Sequence, residues 1–121
     1  MMSRRKITYV KEPTDLQCGQ AVLAMLCKVS VGEINKMVGT ERETNLKQMF
    51  LCLQHYGIDI SHERIEVKGK EQLPSCALLS LETPRCWHWS LYCDGVFYDP
   101  EHGVLQDFPD SKRKYYWEIR D

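Results

Sequence analysis

Gln17-Cys18-Gly19-Gln20-Ala21-Val22-Leu23-Ala24-Met25-Leu26-Cys27-Lys28 is the stretch on which the fold turns. From Ala21 to Cys27 it is apolar without a break, framed by Gln20 and Lys28. Ala, Leu and Met are strong helix formers, so the composition predicts a helix from about Cys18 to Val29. A helix with no polar face is buried on every side. Cys18 therefore stands at the start of a central, buried helix.

Moving outward, Ser30-Val31-Gly32-Glu33 has the capping-box pattern and opens a short helix to about Val38, which Gly39 ends. Thr44 or Asn45 can cap a third helix, in which Leu46, Met49, Phe50, Leu53 and Tyr56 recur at helical steps before Gly57. The period then changes. Ile58-Asp59-Ile60 and Arg64 to Lys68 alternate like strands, and Cys76-Ala77-Leu78-Leu79-Ser80-Leu81 suits a central strand. Trp87 to Tyr92 and Val96 to Asp99 flank Asp94-Gly95, a strong signal for a tight hairpin. Lys112 to Ile119 makes a last strand. Before the central helix, Lys6 to Val10 reads as a short strand and 12–17 as a polar turn. Helices first and antiparallel strands second define an α+β class.

With 121 residues and no repeat or linker, the chain is expected to form one domain over 1–121. Sixteen Lys and Arg against seventeen Asp and Glu leave a net charge of −1, which excludes a whole-protein electrostatic footprint for nucleic acid. No apolar run approaches the roughly 20 residues that cross a bilayer, so no membrane insertion is expected. The N-terminus is basic at Arg4-Arg5-Lys6 but leads into polar sequence, too short for a signal-peptide core. The expected location is cytoplasmic; a secreted or phage-encoded effector is the other role for a domain of this size. Oligomeric state is not set by any of these features.

Six cysteines, Cys18, Cys27, Cys52, Cys76, Cys86 and Cys93, show no zinc-knuckle spacing and come with no export signal that would favour disulfides. Most sit in apolar runs, where Cys behaves as a small hydrophobe. Cys18 is the exception by position. A thiol at a helix start feels the positive end of the helix dipole, which favours thiolate. Gly19 beside it leaves room for a substrate backbone.

A nucleophilic cysteine needs a base, and the base an orienting group. His55 lies on the third helix, and His62 and His102 lie in polar stretches expected to be exposed. His88 lies between Trp87 and Trp89 on a strand, so its neighbours point to the opposite face. If Asp94-Gly95 is a two-residue loop, Cys93 pairs with Val96, Tyr92 with Phe97, Leu91 with Tyr98 and Ser90 with Asp99. Asp99 then shares a face with His88 as a diagonal partner roughly 7–8 Å away, within reach of two polar side chains. An Asp on one imidazole nitrogen fixes the tautomer and leaves the other for a thiol. A one-residue slip would separate them. A tetrahedral intermediate also needs an oxyanion hole. The Cys18 backbone N–H is one donor; Gln17 and Gln20 carry available amides, Gln17 being better placed.

Together these residues resemble the papain-like cysteine peptidases, in particular the double-glycine leader (bacteriocin-processing) type and its stand-alone relatives. The resemblance is carried by Gln17 to Met25, by the stretch from Gly39 to Gly57 with its Tyr56-Gly57-Ile58 ending, and by His88-Trp89-Ser90 followed by Tyr98-Asp99-Pro100. It implies a papain-like fold, with the nucleophile helix packed on an antiparallel sheet carrying His and Asp. It also implies that Cys18 attacks a carbonyl, His88 moves the proton and Asp99 orients His88. The family's oxyanion glutamine falls at Glu12, six residues before the cysteine. An ionised carboxylate cannot donate, so either Glu12 is protonated, or Gln17 substitutes, or turnover is weak.

The expected function is a cysteine hydrolase cleaving a peptide, isopeptide or related amide through a thioester, with a protein or peptide substrate and no cofactor. A glutamine deamidase or acyltransferase would use the same triad. The alternative is a catalytically weak or inactive module that binds a protein partner, suggested by Glu12 and by the aromatics Tyr115, Tyr116 and Trp117. A metal site using Cys86 and His88 is the weakest reading, and no metal is expected.

Overall fold

The computed structural model describes residues 6–120. Arg4 and Arg5, with the residues before them, lie outside the described residues. Three helices come first: α1 (Cys18–Cys27), α2 (Val31–Val38) and α3 (Leu46–His55). Seven strands follow: β1 (Asp59–Ile60), β2 (Ile65–Glu66), β3 (Cys76–Glu82), β4 (Trp87–Cys93), β5 (Val96–Asp99), β6 (Gly103–Leu105) and β7 (Lys114–Arg120). The described chain is α+β.

Helix α1 is the apolar helix. Every residue from Gly19 to Leu26 is buried, and Lys28 ends it in the left-handed conformation, returning its N–H to the Ala24 carbonyl. Helix α2 starts at Ser30, whose hydroxyl accepts the Glu33 N–H, and stops at Gly39. Of the two candidate caps for α3, Asn45 is the one used. Its side chain accepts the Gln48 N–H while the Gln48 side chain accepts the Asn45 N–H. That reciprocal pair satisfies two donors that a helix start otherwise leaves open.

The sheet runs β1-β7-β3-β4-β5-β6, each neighbour antiparallel, with β2 beside β7. Strand β3 is covered on both faces, which is why its apolar run is nearly unbroken. Cys76 and Leu78 join the core beneath the helices, with Leu23, Met49 and Leu53. Ala77, Leu79 and Leu81 face the other way and pack with Phe97, Leu105 and Phe108. The β4–β5 hairpin has φ of 51° at Asp94 and 86° at Gly95. Its register is Cys93↔Val96, Tyr92↔Phe97 and Leu91↔Tyr98, as the two-residue loop requires.

Three expectations change. Lys6 to Val10 forms no strand; the segment is instead fastened to the end of β5, where the Tyr9 hydroxyl donates to the Asp99 carbonyl at 2.6 Å. Strand β6, absent from the sequence reading, pairs with the outer side of β5. The aromatics of β7 belong to the fold: Trp117 is buried in the core, Tyr116 packs on the second cluster, and Tyr115 lies beneath the Arg64 guanidinium. Their apparent exposure therefore lends no support to a binding surface. Among the described residues no helix is long and apolar enough to cross a membrane.

Candidate active site

Cys18 is the first residue of α1, and helix α1 packs on β4. The β4–β5 ladder ends at Leu91↔Tyr98, so the first half of β4 has an edge that β5 leaves unpaired. Cys18 meets the chain there, its Sγ accepting the Trp89 backbone N–H at 3.4 Å. An edge N–H that would otherwise seek a strand is thereby aimed at sulfur.

His88 and Asp99 come together as the hairpin register predicts. The His88 Nε2 lies 3.0 Å from Asp99 Oδ1, with both side chains almost wholly buried. Ser90 donates its hydroxyl to the other carboxylate oxygen at 2.9 Å. With Nε2 committed to Asp99, Nδ1 is the nitrogen left for Cys18. Burial works against charge on His88, but its hydrogen bonds to Asp99 and to Cys18 outweigh that and hold the imidazole up at about 10. Burial likewise works against charge on Asp99. The His88 bond and charge, with the His102 N–H and the Ser90 hydroxyl, pull its carboxyl down to about 2. The pair is thus an imidazolium facing a carboxylate over the neutral range.

Asp99 has a further partner that the sequence did not join to it. His102 is exposed, as expected, yet it brings Nδ1 to 3.0 Å from Asp99 Oδ1. The backbone N–H groups of Glu101 and His102 reach the same oxygen at 3.0 Å. An Asp that binds N–H groups two and three residues ahead makes a turn of the Asx type, so Asp99-Pro100 was the available signal.

Glu12 is at the centre of the site. Its carboxylate, the Cys18 Sγ and a ring nitrogen of His88 all lie within 4.8 Å of one another. The Glu12 N–H is tied to the Pro100 carbonyl at 3.0 Å, which brings the turn after Tyr9 over the end of β5. Glu12 is 9% exposed, and its Oε1 is buried with no hydrogen-bond partner. Burial raises its pKa; the His88 charge opposes this, and Glu101, Asp99 and Asp15 add to it.

The two glutamines are engaged differently. Gln20 is fully buried and donates to the carbonyls of Thr40 and Arg42, holding the loop before α3 against α1. Gln17 is buried, and its side-chain oxygen accepts the Thr14 hydroxyl at 3.3 Å. Gly19 serves packing rather than substrate access. A Cβ there would stand 1.9 Å from Thr44 Oγ1 and 3.0 Å from Trp89 Cδ1. Cys86 is exposed and joins neither cluster of possible metal ligands that the described residues form, Glu12-Cys18-His88 and His88-Asp99-His102.

Two clefts, each of about 250 Å³, share Cys18, Glu43, Trp87 and His88. One extends past Thr44, Ser80 and Trp89; the other past Asp15, Leu16, Arg85 and Glu101. The two clefts thus meet at Cys18 and His88. No family model matches this chain, and no curated protein matches it in sequence.

Proposed function

We propose that this protein is a papain-like cysteine hydrolase that opens a peptide, isopeptide or related amide bond through a thioester on Cys18. The observation that carries the reading is the buried His88–Asp99 pair at 3.0 Å, with its free ring nitrogen turned to a cysteine at a helix N-terminus.

In that reading, Cys18 Sγ attacks the substrate carbonyl carbon and the C=O π pair moves onto oxygen. The tetrahedral intermediate collapses as the C–N bond breaks, and His88 gives its proton to the leaving amine. Water then attacks the thioester while His88 takes its proton, and the acid is released with the thiolate restored. Asp99 stays ionised throughout and holds the ring in place. An amine in place of water would make the same site an acyltransferase, and a glutamine side-chain substrate would make it a deamidase.

The test is the rate at which iodoacetamide alkylates Cys18, followed by mass spectrometry against pH in wild type and His88→Ala. A reactive ion pair gives fast alkylation below about pH 7 that slows about ten-fold or more without His88. Alkylation at the rate of an ordinary thiol, unchanged in His88→Ala, would leave the non-catalytic binding module as the better reading.

A further inference from the structure

Glu12, Cys18 and His88 bring three different metal-binding atoms to one spot. A carboxylate oxygen, the Cys18 Sγ and a ring nitrogen of His88 all lie within 4.8 Å of one another. Three observations suit this cluster to a cation. The first is that Glu12 is 9% exposed, with its Oε1 buried and without a hydrogen-bond partner. A buried carboxylate is costly unless it is paired or binds a metal. The second is that the backbone carrying it is fastened, the Glu12 N–H being fixed to the Pro100 carbonyl at 3.0 Å. The third is that His88 already has the support a metal-binding imidazole needs. Its Nε2 lies 3.0 Å from Asp99 Oδ1, which orients the ring and leaves Nδ1 for the ion. The neighbouring cluster of His88, Asp99 and His102 is saturated instead. Asp99 Oδ1 takes both imidazoles and the Glu101 and His102 N–H groups, and Oδ2 takes the Ser90 hydroxyl.

We propose that Glu12, Cys18 and His88 form a zinc site whose protein ligands are the carboxylate, the thiolate and Nδ1. The inference goes beyond the hydrolase reading and stands on the ligand set alone. Sulfur, imidazole nitrogen and carboxylate oxygen are the donors zinc takes from proteins, whereas magnesium and calcium take oxygen. Zinc bonds of about 2.0–2.3 Å put tetrahedral ligands roughly 3.4–3.6 Å apart. The three atoms therefore need to close by no more than about 1.4 Å. Two anionic ligands balance the dication, so the buried charge is compensated. A glutamine at position 12 would be a neutral and weaker donor; the carboxylate supplies the third ligand. The fourth position opens on the two clefts that share Cys18 and His88, where water completes the tetrahedron. Binding changes no oxidation state, and protons held by the ligands leave to solvent. The sulfur then shares its reactive electron pair with the metal, so zinc closes the thiol to electrophiles until a chelator removes it.

The probe is zinc itself, added to protein stripped with EDTA and desalted. At about 10 μM free zinc the protein should hold one zinc per chain by elemental mass spectrometry, as micromolar affinity requires. Zinc should also slow iodoacetamide alkylation of the Cys18 peptide about ten-fold or more, and EDTA should restore the rate. Competition with a chromogenic chelator gives the affinity. Glu12→Gln keeps the shape and removes the anionic ligand, and should weaken binding about 100-fold; Asp99→Asn, behind His88, should weaken it about ten-fold. Cys86→Ala should bind within about three-fold of wild type, because Cys86 stands outside the cluster. X-ray absorption at the zinc edge of the wild-type complex should show one sulfur at about 2.3 Å and lighter ligands at about 2.0–2.2 Å. Absence of stoichiometric zinc would overturn the site, as would an ion carrying no sulfur or two. A Glu12→Gln affinity within about three-fold of wild type would overturn it too, leaving a bare Cys–His contact. Should Glu12→Gln not fold, the absorption spectrum and stoichiometry of the wild-type complex decide. Alkylation of the metal-free protein, with and without His88, tests the hydrolase reading separately, so either can fail alone.

Discussion

At the scale of single residues, the His88–Asp99 pair makes a pH-dependent contribution to stability whose sign follows from its shifts. Asp99 is pulled down from 3.8 to about 2, so its contribution is present above pH 3.8 and is lost as pH falls toward 2. His88 is raised from 6.5 to about 10, so its contribution is full below 6.5 and is lost as pH rises toward 10. The stability difference between wild type and Asp99→Asn should therefore be widest between about pH 4 and 6.5 and shrink on both sides. Breaking a buried pair costs about 3 kcal/mol, and urea unfolding across that pH range would measure it. A flat difference across pH would mean that the pair is not ionised. His88 and Asp99 could both be read from the sequence, because a two-residue turn fixes which positions share a face. His102 could not, because its place depends on how the chain turns after Pro100. Glu12 could be named but not placed, since its position follows from contacts with residues far along the chain.

At the scale of elements, helix starts and tight turns are local, and local chemistry predicts them well. Asn45→Ala should cost about 1 kcal/mol by opening the reciprocal cap of α3, read as a lower denaturation midpoint. Gly95→Ala forces a Cβ into a φ of 86° and should cost about 1–2 kcal/mol while leaving the hairpin register intact. Gly19→Ala is different in kind. Its Cβ would collide with Thr44 Oγ1 at 1.9 Å and press on Trp89 at 3.0 Å and Met49 Sδ at 3.2 Å. Overpacking of this sort costs about 1–3 kcal/mol, and here it falls on residues that line the cleft. Chemical denaturation gives the stability loss, and Cys18 alkylation reports whether the cleft moved. The short elements show where such reasoning stops. Lys6 to Val10 alternates well enough for a strand but finds no ladder, whereas Gly103–Leu105 becomes β6 because β5 offers it an edge.

At the scale of the whole molecule, the cysteines report on the fold. Those in the described residues form no disulfide, so a reductant should leave the denaturation midpoint unchanged. Cys52, Cys76 and Cys93 are buried and Cys27 is partly buried against the core, while Cys86 is exposed and Cys18 half-buried in the clefts. Brief alkylation of the native protein should therefore label Cys18 and Cys86, with the three buried thiols labelled only on unfolding. Peptide mass spectrometry would show this, and early labelling of Cys52 would contradict the packing of α3 on the core.

The sequence by itself determined the α+β order, the buried helix that begins at Cys18, the caps of α2 and α3 and the hairpin that unites His88 with Asp99. All of these rest on interactions between residues close along the chain, where spacing and side-chain chemistry suffice. Only the tertiary structure decided that Cys18 meets the open edge of β4, that Gln20 holds a loop, that His102 joins Asp99 and that the Glu12 carboxylate comes within 4.8 Å of the Cys18 sulfur. Those placements come from packing between distant segments, and no local pattern encodes which distant segment will arrive.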